Sequence, residues 1–216
     1  MLRKNLTPDE RASLDPRVAP TKENGKRTME QLLATGAQLL DKVGFEGFNT
    51  NLLAETAGVR IRTVYRYFPN KFAIITTIAR RMSDEWAESY EPSFLRLEDP
   101  KAALRPVLES LLNGFIKHTS EQVGAIAILQ AIASSPALRE LDREVFERIS
   151  KRMAYALTNR GLDLPAVRMQ ALSSVLTISA FAAVDLYVRM EDRREARAMW
   201  SALVDMHVST LERFEK

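Results

Sequence analysis

The sequence predicts an all-α protein of about nine helices. Apolar residues recur at three- and four-residue spacing along most of the 216 residues, which places them on one face of each helix. Start signals such as Asp99-Pro100 and Ser135-Pro136, and the stop signal Gly44, separate these stretches. No alternating strand pattern, Gly-rich loop or internal repeat interrupts them.

Composition indicates a globular protein and excludes several other classes. Hydrophobic residues make up 46% of the chain and charged residues 27%, which is ordinary for a globular protein with a buried core. The chain has no Cys, so it has no disulfide framework and no thiolate metal site, and this absence fits a reducing cytosol. The polar, acid-containing start differs from a signal peptide.

The uncharged run Met169–Val184 is interrupted by five polar residues. It falls short of the ~20 apolar residues that a membrane span needs, so a buried helix is the better interpretation. We therefore expect a cytoplasmic protein with no membrane partner.

Positive charge is concentrated near the N-terminus. Through residue 76 the chain has 12 Lys and Arg against 8 Asp and Glu, whereas the remainder has 19 against 20. An excess at one end suggests a polyanionic partner for that end.

The N-terminal part is predicted to contain an arm and four helices. Residues 1–26 carry several prolines and few large apolar side chains, so we expect a flexible basic arm that either contacts DNA phosphates or is a solvated tail. Helices one to three are predicted over Arg27–Val43, Thr50–Thr56 and Arg60–Phe68. Helix four should run from Asn70 to Tyr90, because Pro92 then interrupts the pattern.

Five further helices are predicted in the rest of the chain. Their start signals are, in order, Asp99-Pro100, Ser120, Ser135-Pro136, Pro165 and Asp192. We expect helix five to be kinked or restarted at Pro106 and to end near His118, and helix seven to end at Gly161. Glu195 follows Asp192 by three residues, as in a capping box.

Helix eight is apolar or small nearly all round from Ala171 to Val184, and such a helix must be covered on every side. We expect one face to pack on its own domain and the other to be covered, together with helix nine, by a second subunit related by a two-fold axis. The alternative is the central helix of a monomeric bundle. The residues predicted at the dimer interface are Leu176, Ala180, Val184, Trp200, Leu203, His207 and Leu211.

The stretch Asn49–Lys71 has the pattern of a helix-turn-helix: a short helix, a bend at Gly58 and a second helix rich in Arg and Tyr. Val64 and Phe68 are four residues apart and are predicted to face inward. The side chains then predicted to point outward are Arg60, Arg62, Thr63, Arg66 and Tyr67. Arg can bind guanine bidentately, Thr and Tyr hydroxyls suit phosphates, and Lys71 lies in the first turn of a helix, where an anion is favoured.

The motif residues are Ala57-Gly58-Val59, Thr63, Tyr65, Tyr67, Phe68 and Lys71, preceded by Val43-Gly44-Phe45 and Leu53-Ala54. With them, residues Arg27 to about Trp86 resemble the DNA-binding domain of the TetR family of transcriptional regulators. The resemblance implies two sets of DNA contacts. Those to the backbone would come from Thr50, Thr63, Tyr65, Tyr67 and Lys71, and those reading or flanking bases from Arg60, Ile61, Arg62 and Arg66. Arg60, Arg62 and Phe72 depart from residues common in the family, so the two arginines could reach bases or only phosphates.

The resemblance also implies a division of the chain. Residues 1–26 would form the arm, 27–86 the DNA-binding domain with its motif at 49–68, and 87–216 a helical ligand-binding and dimerisation domain. Large side chains that could line a cavity for a small-molecule effector of unknown identity are Trp86, Tyr90, Phe94, Phe115, Leu129, Phe146, Met153 and Phe181. Ordinary core packing is the alternative explanation for each of them.

The sequence gives no basis for an enzyme. It has two His, no Cys, no nucleophile elbow and no phosphate-binding loop, and it predicts no metal site and no cofactor. We expect a dimeric regulator that binds double-stranded operator DNA sequence-specifically, a repressor released by a small-molecule ligand. The alternative is an all-α small-molecule-binding or interaction protein without DNA function.

Overall fold

The computed structural model describes residues 14–215, which contain nine α-helices, one short 3₁₀ helix and no strand. In chain order they are α1 (Glu23–Gly47), α2 (Thr50–Thr56), α3 (Ile61–Tyr67), α4 (Lys71–Glu98), α5 (Leu104–Glu121), α6 (Ala125–Ser134), the 3₁₀ helix (Pro136–Leu138), α7 (Arg139–Asn159), α8 (Ala166–Arg189) and α9 (Arg193–Glu212). The predicted all-α class is confirmed. The first 13 residues of the predicted arm lie outside the described range.

The chain divides into two compact units. The first comprises the described residues through Asp84 together with Gln122–Asp142, and the second comprises Glu85–Glu121 and the described residues from Arg143 onward. The first division falls two residues before the predicted boundary at 86. The inclusion of Gln122–Asp142 in the N-terminal unit was not predicted.

The core of the first unit is built on one face of α1, where Leu32, Leu33 and Leu40 are buried at helical spacing. Leu32 and Leu40 are completely buried, as are Leu53 of α2 and Ile74 of α4. A fully buried Leu or Ile side chain contributes about 1.5–3 kcal/mol to folding. This core fixes the short helices α2 and α3 against longer ones, since helices of seven residues are not stable alone.

Helix α6 packs on α1 within the first unit. Gly124 precedes α6 with a φ of +82°, and its N–H donates to Asp41 Oδ1 at 3.2 Å. A Cβ at this position would lie 2.8 Å from the carbonyl oxygen of Ala37. The close approach of α6 to α1 therefore requires glycine both for its backbone conformation and for its missing side chain.

The described part of the predicted arm is docked on the first unit. The Arg17 N–H donates to the Tyr67 carbonyl at 2.7 Å, and Asp15 forms an ion pair with Arg80 at 2.7 Å. Helix α1 begins at Glu23, earlier than predicted, and the expected stop at Gly44 appears as a residue with φ +67° that kinks the helix before its last turn.

Helix α4 continues through Pro92 to Glu98, so the predicted end at Tyr90 is wrong. Pro inside a helix costs about 3 kcal/mol, because it removes one hydrogen bond and crowds the preceding turn. Tyr90, Phe94 and Leu97 follow one another at helical spacing and are all buried in the core of the second unit. Their burial offsets the cost of the proline.

The helix starts predicted at Asp99-Pro100 and at Ser120 are also wrong. Asp99 instead closes a turn, in which its carboxylate accepts from the Lys101 N–H at 2.8 Å, and α5 begins at Leu104. Pro106 then lies in the first turn of α5, where its missing N–H has no intrahelical partner to lose. Ser120 lies in the last turn of α5, and α6 follows Gly124.

In the second unit α5, α8 and α9 pack against one another. The predicted cap of α9 is present, since the Asp192 carboxylate accepts from the N–H groups of Arg194 at 2.8 Å and Glu195 at 3.2 Å. The buried Arg160 side chain ties the end of α7 to the turn after α4, donating to the carbonyls of Asp99 and Ala102 at 2.8 and 2.9 Å.

Helix α8 is long and apolar enough to cross a membrane, judged by length and composition alone. Part of this helix is buried in the core of the second unit, including Met169, Leu176, Ala180 and Val184. The predicted helix is therefore present, but within the described residues only one side of it is buried.

Candidate nucleic-acid interface and ligand cavity

Helix α2 and the turn after it fix the position of α3. Asn49 Oδ1 accepts from the Leu52 N–H at 2.9 Å and so caps the start of α2. At the other end, the Val59 N–H donates to the Ala54 carbonyl at 2.9 Å and the Gly58 N–H to the Glu55 carbonyl at 3.1 Å, the two bonds of a Schellman motif. Gly58 has a φ of +65°, and a Cβ added here would have no neighbour within 4 Å. Glycine is therefore needed at this position for its backbone conformation and not to avoid a steric clash.

Helix α3 is anchored by Val64 and Tyr67, with Phe68 just beyond its end, and all three side chains are buried. The expectation that Tyr67 points outward is wrong, since only 3% of this residue is exposed. Positions i, i+3 and i+4 share one face of a helix, so a helix that buries Val64 and Phe68 also buries residue 67. The Tyr67 side chain reaches α1, with its hydroxyl beside Gly25.

The opposite face of α3 is basic and exposed. Arg62 and Arg66 lie one turn apart on it, beside the exposed Ile61 and Tyr65, with Arg60 at the N-cap. Thr63 is half-buried. Within residues 14–215 no carboxylate pairs with these three arginines. Their guanidinium groups therefore remain available to an anionic partner. The guanidinium carbon of Arg66 lies 5.7 Å from the centre of the Tyr67 ring.

Two hydroxyls predicted to contact DNA phosphates lie together. Thr50 Oγ1 at the start of α2 and Tyr65 Oη on α3 are 3.1 Å apart and form a hydrogen bond. Whichever hydroxyl accepts this bond keeps its own proton free, so the pair can offer one hydrogen bond to a phosphate.

Lys71 is the first residue of α4. Asn70 caps the N-terminus of this helix, because its side-chain Oδ1 accepts a hydrogen bond from the Ala73 N–H at 2.9 Å. The Lys71 ammonium lies 4.3 Å from the centre of the Phe45 ring and 3.4 Å from the Phe45 carbonyl oxygen. These contacts hold its charge near a helix N-terminus, which favours an anion.

A small cavity of about 20 Å³ lies in the second unit. Three residues predicted for a ligand cavity line it, namely Phe115, Met153 and Phe181, as do three predicted for the dimer interface, namely Leu176, Ala180 and His207. Trp86, Tyr90, Phe94 and Phe146 belong to the second unit but do not line the cavity, and Leu129 belongs to the first unit. The volume suits about one water molecule, whereas sites for drug-sized ligands measure roughly 300–1,000 Å³. A larger ligand must therefore displace part of the wall.

The polar groups of the cavity wall are bonded within the protein. His207 Nε2 and Ser179 Oγ are 2.8 Å apart, and burial lowers the pKa of His207 to about 4, so the imidazole is neutral near pH 7. Thr177 Oγ1 donates to the Ser173 carbonyl at 2.8 Å. Neither group brings a charge to the cavity.

All seven residues predicted at the dimer interface are buried within the single chain: Leu176, Ala180, Val184, Trp200, Leu203, His207 and Leu211. The exposed apolar residues of α8 are others. From Val167 onward they lie at spacings of four and three along one stripe and comprise Val167, Ala171, Val175, Ile178, Ala182 and Leu186. Sequence reasoning missed this stripe because α8 is apolar on both sides, and composition does not distinguish the side covered by its own chain.

Comparison with known proteins gives two family models. Residues 32–77 match the model described as bacterial regulatory proteins, tetR family, and residues 103–211 match a tetracyclin repressor-like C-terminal domain. The second match alone covers half of the chain. The chain belongs to the TetR family. TetR-family proteins are transcriptional regulators and not enzymes, in agreement with the sequence prediction.

Two curated relatives match parts of the TetR-family chain. The HTH-type transcriptional regulator EthR of Mycolicibacterium smegmatis is 29% identical over 110 residues, which are 50% of this chain and 49% of that protein. The tetracycline repressor protein class C of Escherichia coli is 39% identical over 57 residues, 26% of each chain. The chain thus spans half or less of the length of the curated relatives it matches.

Solved structures share the fold over most of their length. A TetR-family regulator from Streptomyces coelicolor is similar with a TM-score of 0.61 at 21% identity, over 87% of this chain and 99% of that one. A TetR-family regulator from Agrobacterium tumefaciens gives 0.63 at 15% identity, over 89% and 100%.

Proposed function

We propose that the chain is a dimeric, sequence-specific DNA-binding repressor, active in the cytoplasm, that a small molecule releases from its operator. The observation that carries the proposal is the exposed arginine face of α3, which lacks a carboxylate partner in the described chain and follows the Gly58 turn of a helix-turn-helix. An unpaired basic helix at this position suits the DNA major groove.

In the proposed complex Arg62 and Arg66, one turn apart, face base edges. A bidentate Arg–guanine contact contributes about 1–3 kcal/mol of discrimination against other bases. The Thr50–Tyr65 hydroxyl pair and Lys71 contact backbone phosphates on either side of α3. Tyr67 supports α3 from within the core, so any contact it makes with DNA is through its hydroxyl or its backbone.

The exposed stripe of α8, from Val167 to Leu186, supports the dimer. A helix with this much uncovered apolar surface is more stable when a second copy covers it. A two-fold dimer presents two copies of α3, which fit half-sites about 34–36 Å apart on DNA.

The cavity in the second unit supports control by an effector. A ligand that binds better to a conformation with low DNA affinity weakens DNA binding, and by linkage DNA weakens binding of that ligand equally. The mostly apolar wall is typical of a small-molecule site, although the present volume of the cavity requires the site to open.

Selection from a random duplex library tests the DNA activity without knowledge of the operator. We expect the protein to enrich one palindromic sequence and to bind it saturably. The logarithm of its affinity should fall linearly with the logarithm of salt concentration, by about 0.9 per phosphate contact. A library without enrichment, and binding that is absent at every salt concentration, would instead favour an interaction protein without DNA function.

A further inference from the structure

The wall of the cavity carries no charge. Of its 11 lining residues nine are apolar, and the other two are Thr177 and His207, both already hydrogen-bonded inside the protein. The side chains that line it include no Asp, Glu, Lys or Arg. A charged ligand group would lose its hydration there without gaining an ionic partner, which is strongly unfavourable. The wall therefore selects for uncharged ligands.

Tyr90, whose ring packs on the cavity-lining Phe115, has one of the six buried side-chain polar atoms without a hydrogen-bond partner in the described residues. The Tyr90 hydroxyl makes no hydrogen bond in the described part of the chain, although Tyr90 is only 4% exposed. Buried hydroxyls are nearly always bonded, so an exception calls for an explanation such as a ligand. Burial raises the pKa of Tyr90, so the phenol keeps its proton and can donate it to an acceptor.

Phe115 lies between Tyr90 and the cavity. Its ring lines the cavity, and its centre is 4.5 Å from the centre of the Tyr90 ring and 5.7 Å from that of Phe181. On the same helix, a Cβ on Gly114 would lie 2.9 Å from Tyr90 Cε1, so glycine leaves room for the tyrosine ring. A ligand that pushes the Phe115 ring aside enlarges the cavity and removes the ring that separates Tyr90 from it.

We propose that the effector is an uncharged, mostly apolar molecule with one hydrogen-bond acceptor, which displaces the Phe115 ring and accepts a hydrogen bond from Tyr90. This rests on the proposed function, since it names the ligand class of the regulator's own cavity. It does not depend on the DNA sequence that the regulator binds.

Four probes of one chain length test the ligand class: n-octane, 2-octanone, octanoate and octylammonium. Thermal unfolding and titration calorimetry on the full chain, without DNA, measure their binding. We expect 2-octanone to bind about two- to tenfold more tightly than n-octane, the gain of one net hydrogen bond, and the two ions to leave the melting temperature unchanged. Stabilisation by octanoate or octylammonium equal to that by 2-octanone would overturn the inference, as would failure of both neutral probes to bind.

The substitution Tyr90→Phe keeps the ring and removes only the hydroxyl. The variant should bind n-octane as the wild type does and lose the preference for 2-octanone, whereas Tyr155→Phe, at an exposed tyrosine of the same unit, should change neither affinity. A preference for 2-octanone that persists in Tyr90→Phe contradicts the role of Tyr90. Because no DNA is present, failure here leaves the DNA-binding proposal standing, and failure of the library selection leaves these affinities unaffected.

Discussion

Neighbouring tyrosines of α3 serve different purposes. Tyr65 is 41% exposed and bonds Thr50 at the proposed DNA surface, whereas Tyr67 is 3% exposed and packs in the core. The family motif includes both positions and gives no sign of this difference. Helical geometry explains the difference, because residue 67 lies three residues after Val64 and next to Phe68 and therefore shares their buried face.

Replacing each tyrosine by alanine separates these roles. Tyr67→Ala should lower the free energy of unfolding by about 3–5 kcal/mol, because it leaves a large cavity in the first unit. Tyr65→Ala should lower it by about 1 kcal/mol or less, since it removes one exposed side chain and one hydrogen bond. Urea denaturation measures both. Equal stability of Tyr67→Ala and the wild type would show that the Tyr67 ring is not part of the core.

At the scale of the elements, the contact of α6 with α1 depends on Gly124, whereas the turn of the helix-turn-helix depends on Gly58. Both have positive φ, but only Gly124 lies against backbone, at the Ala37 carbonyl. Alanine substitutions at these two glycines therefore separate the cost of the backbone conformation from the cost of a steric clash.

Gly58→Ala should cost about 1–2 kcal/mol of stability, from the left-handed conformation alone. Gly124→Ala should cost more, because the new Cβ also collides with the Ala37 carbonyl and forces α6 away from α1. Hydrogen exchange should then show faster exchange in α6 for Gly124→Ala and not for Gly58→Ala. Equal costs and unchanged α6 protection in both variants would contradict the tight contact.

The elements best predicted from sequence are those with local signals. The helix caps at Asn49 and Asp192 and the turn at Gly58 are present as predicted. Capping and turn formation depend only on residues close in sequence, so the residue type alone indicates them. Pro92 and Ser120 gave false signals, because burial of Tyr90, Phe94 and Leu97 extends α4 past the proline and α5 continues past the serine. Long-range packing, which no local motif records, determines those helix ends.

For the candidate sites, too, local sequence signals gave correct predictions and long-range contacts were missed. The exposed arginines of α3 were predictable, since motif and periodicity agree there. The return of Gln122–Asp142 to the first unit and the identity of the exposed side of α8 depend on contacts between distant parts of the chain. These contacts also bury His207 in the cavity wall of the single chain.

For the whole molecule, the α8 stripe predicts a dimer that one charge disrupts. Ile178→Glu, at 58% exposure in the middle of the stripe, should convert the dimer to monomer in sedimentation velocity, because a carboxylate would be buried without a partner. Leu95→Glu, at 57% exposure on α4, is the control and should remain dimeric. A dimer that persists in Ile178→Glu would place the interface elsewhere.

The central claim is that the arginine face of α3 reads DNA sequence, and the affinity ratio between a selected site and its scrambled version tests it most directly. Fluorescence anisotropy at fixed salt would compare the wild type with Arg62→Ala and with Arg197→Ala, which removes an exposed arginine of α9. Arg62→Ala should lower affinity for the selected site by about 1–3 kcal/mol and affinity for scrambled DNA much less, while Arg197→Ala should leave the ratio unchanged. Equal weakening of both DNAs by Arg62→Ala would contradict the claim.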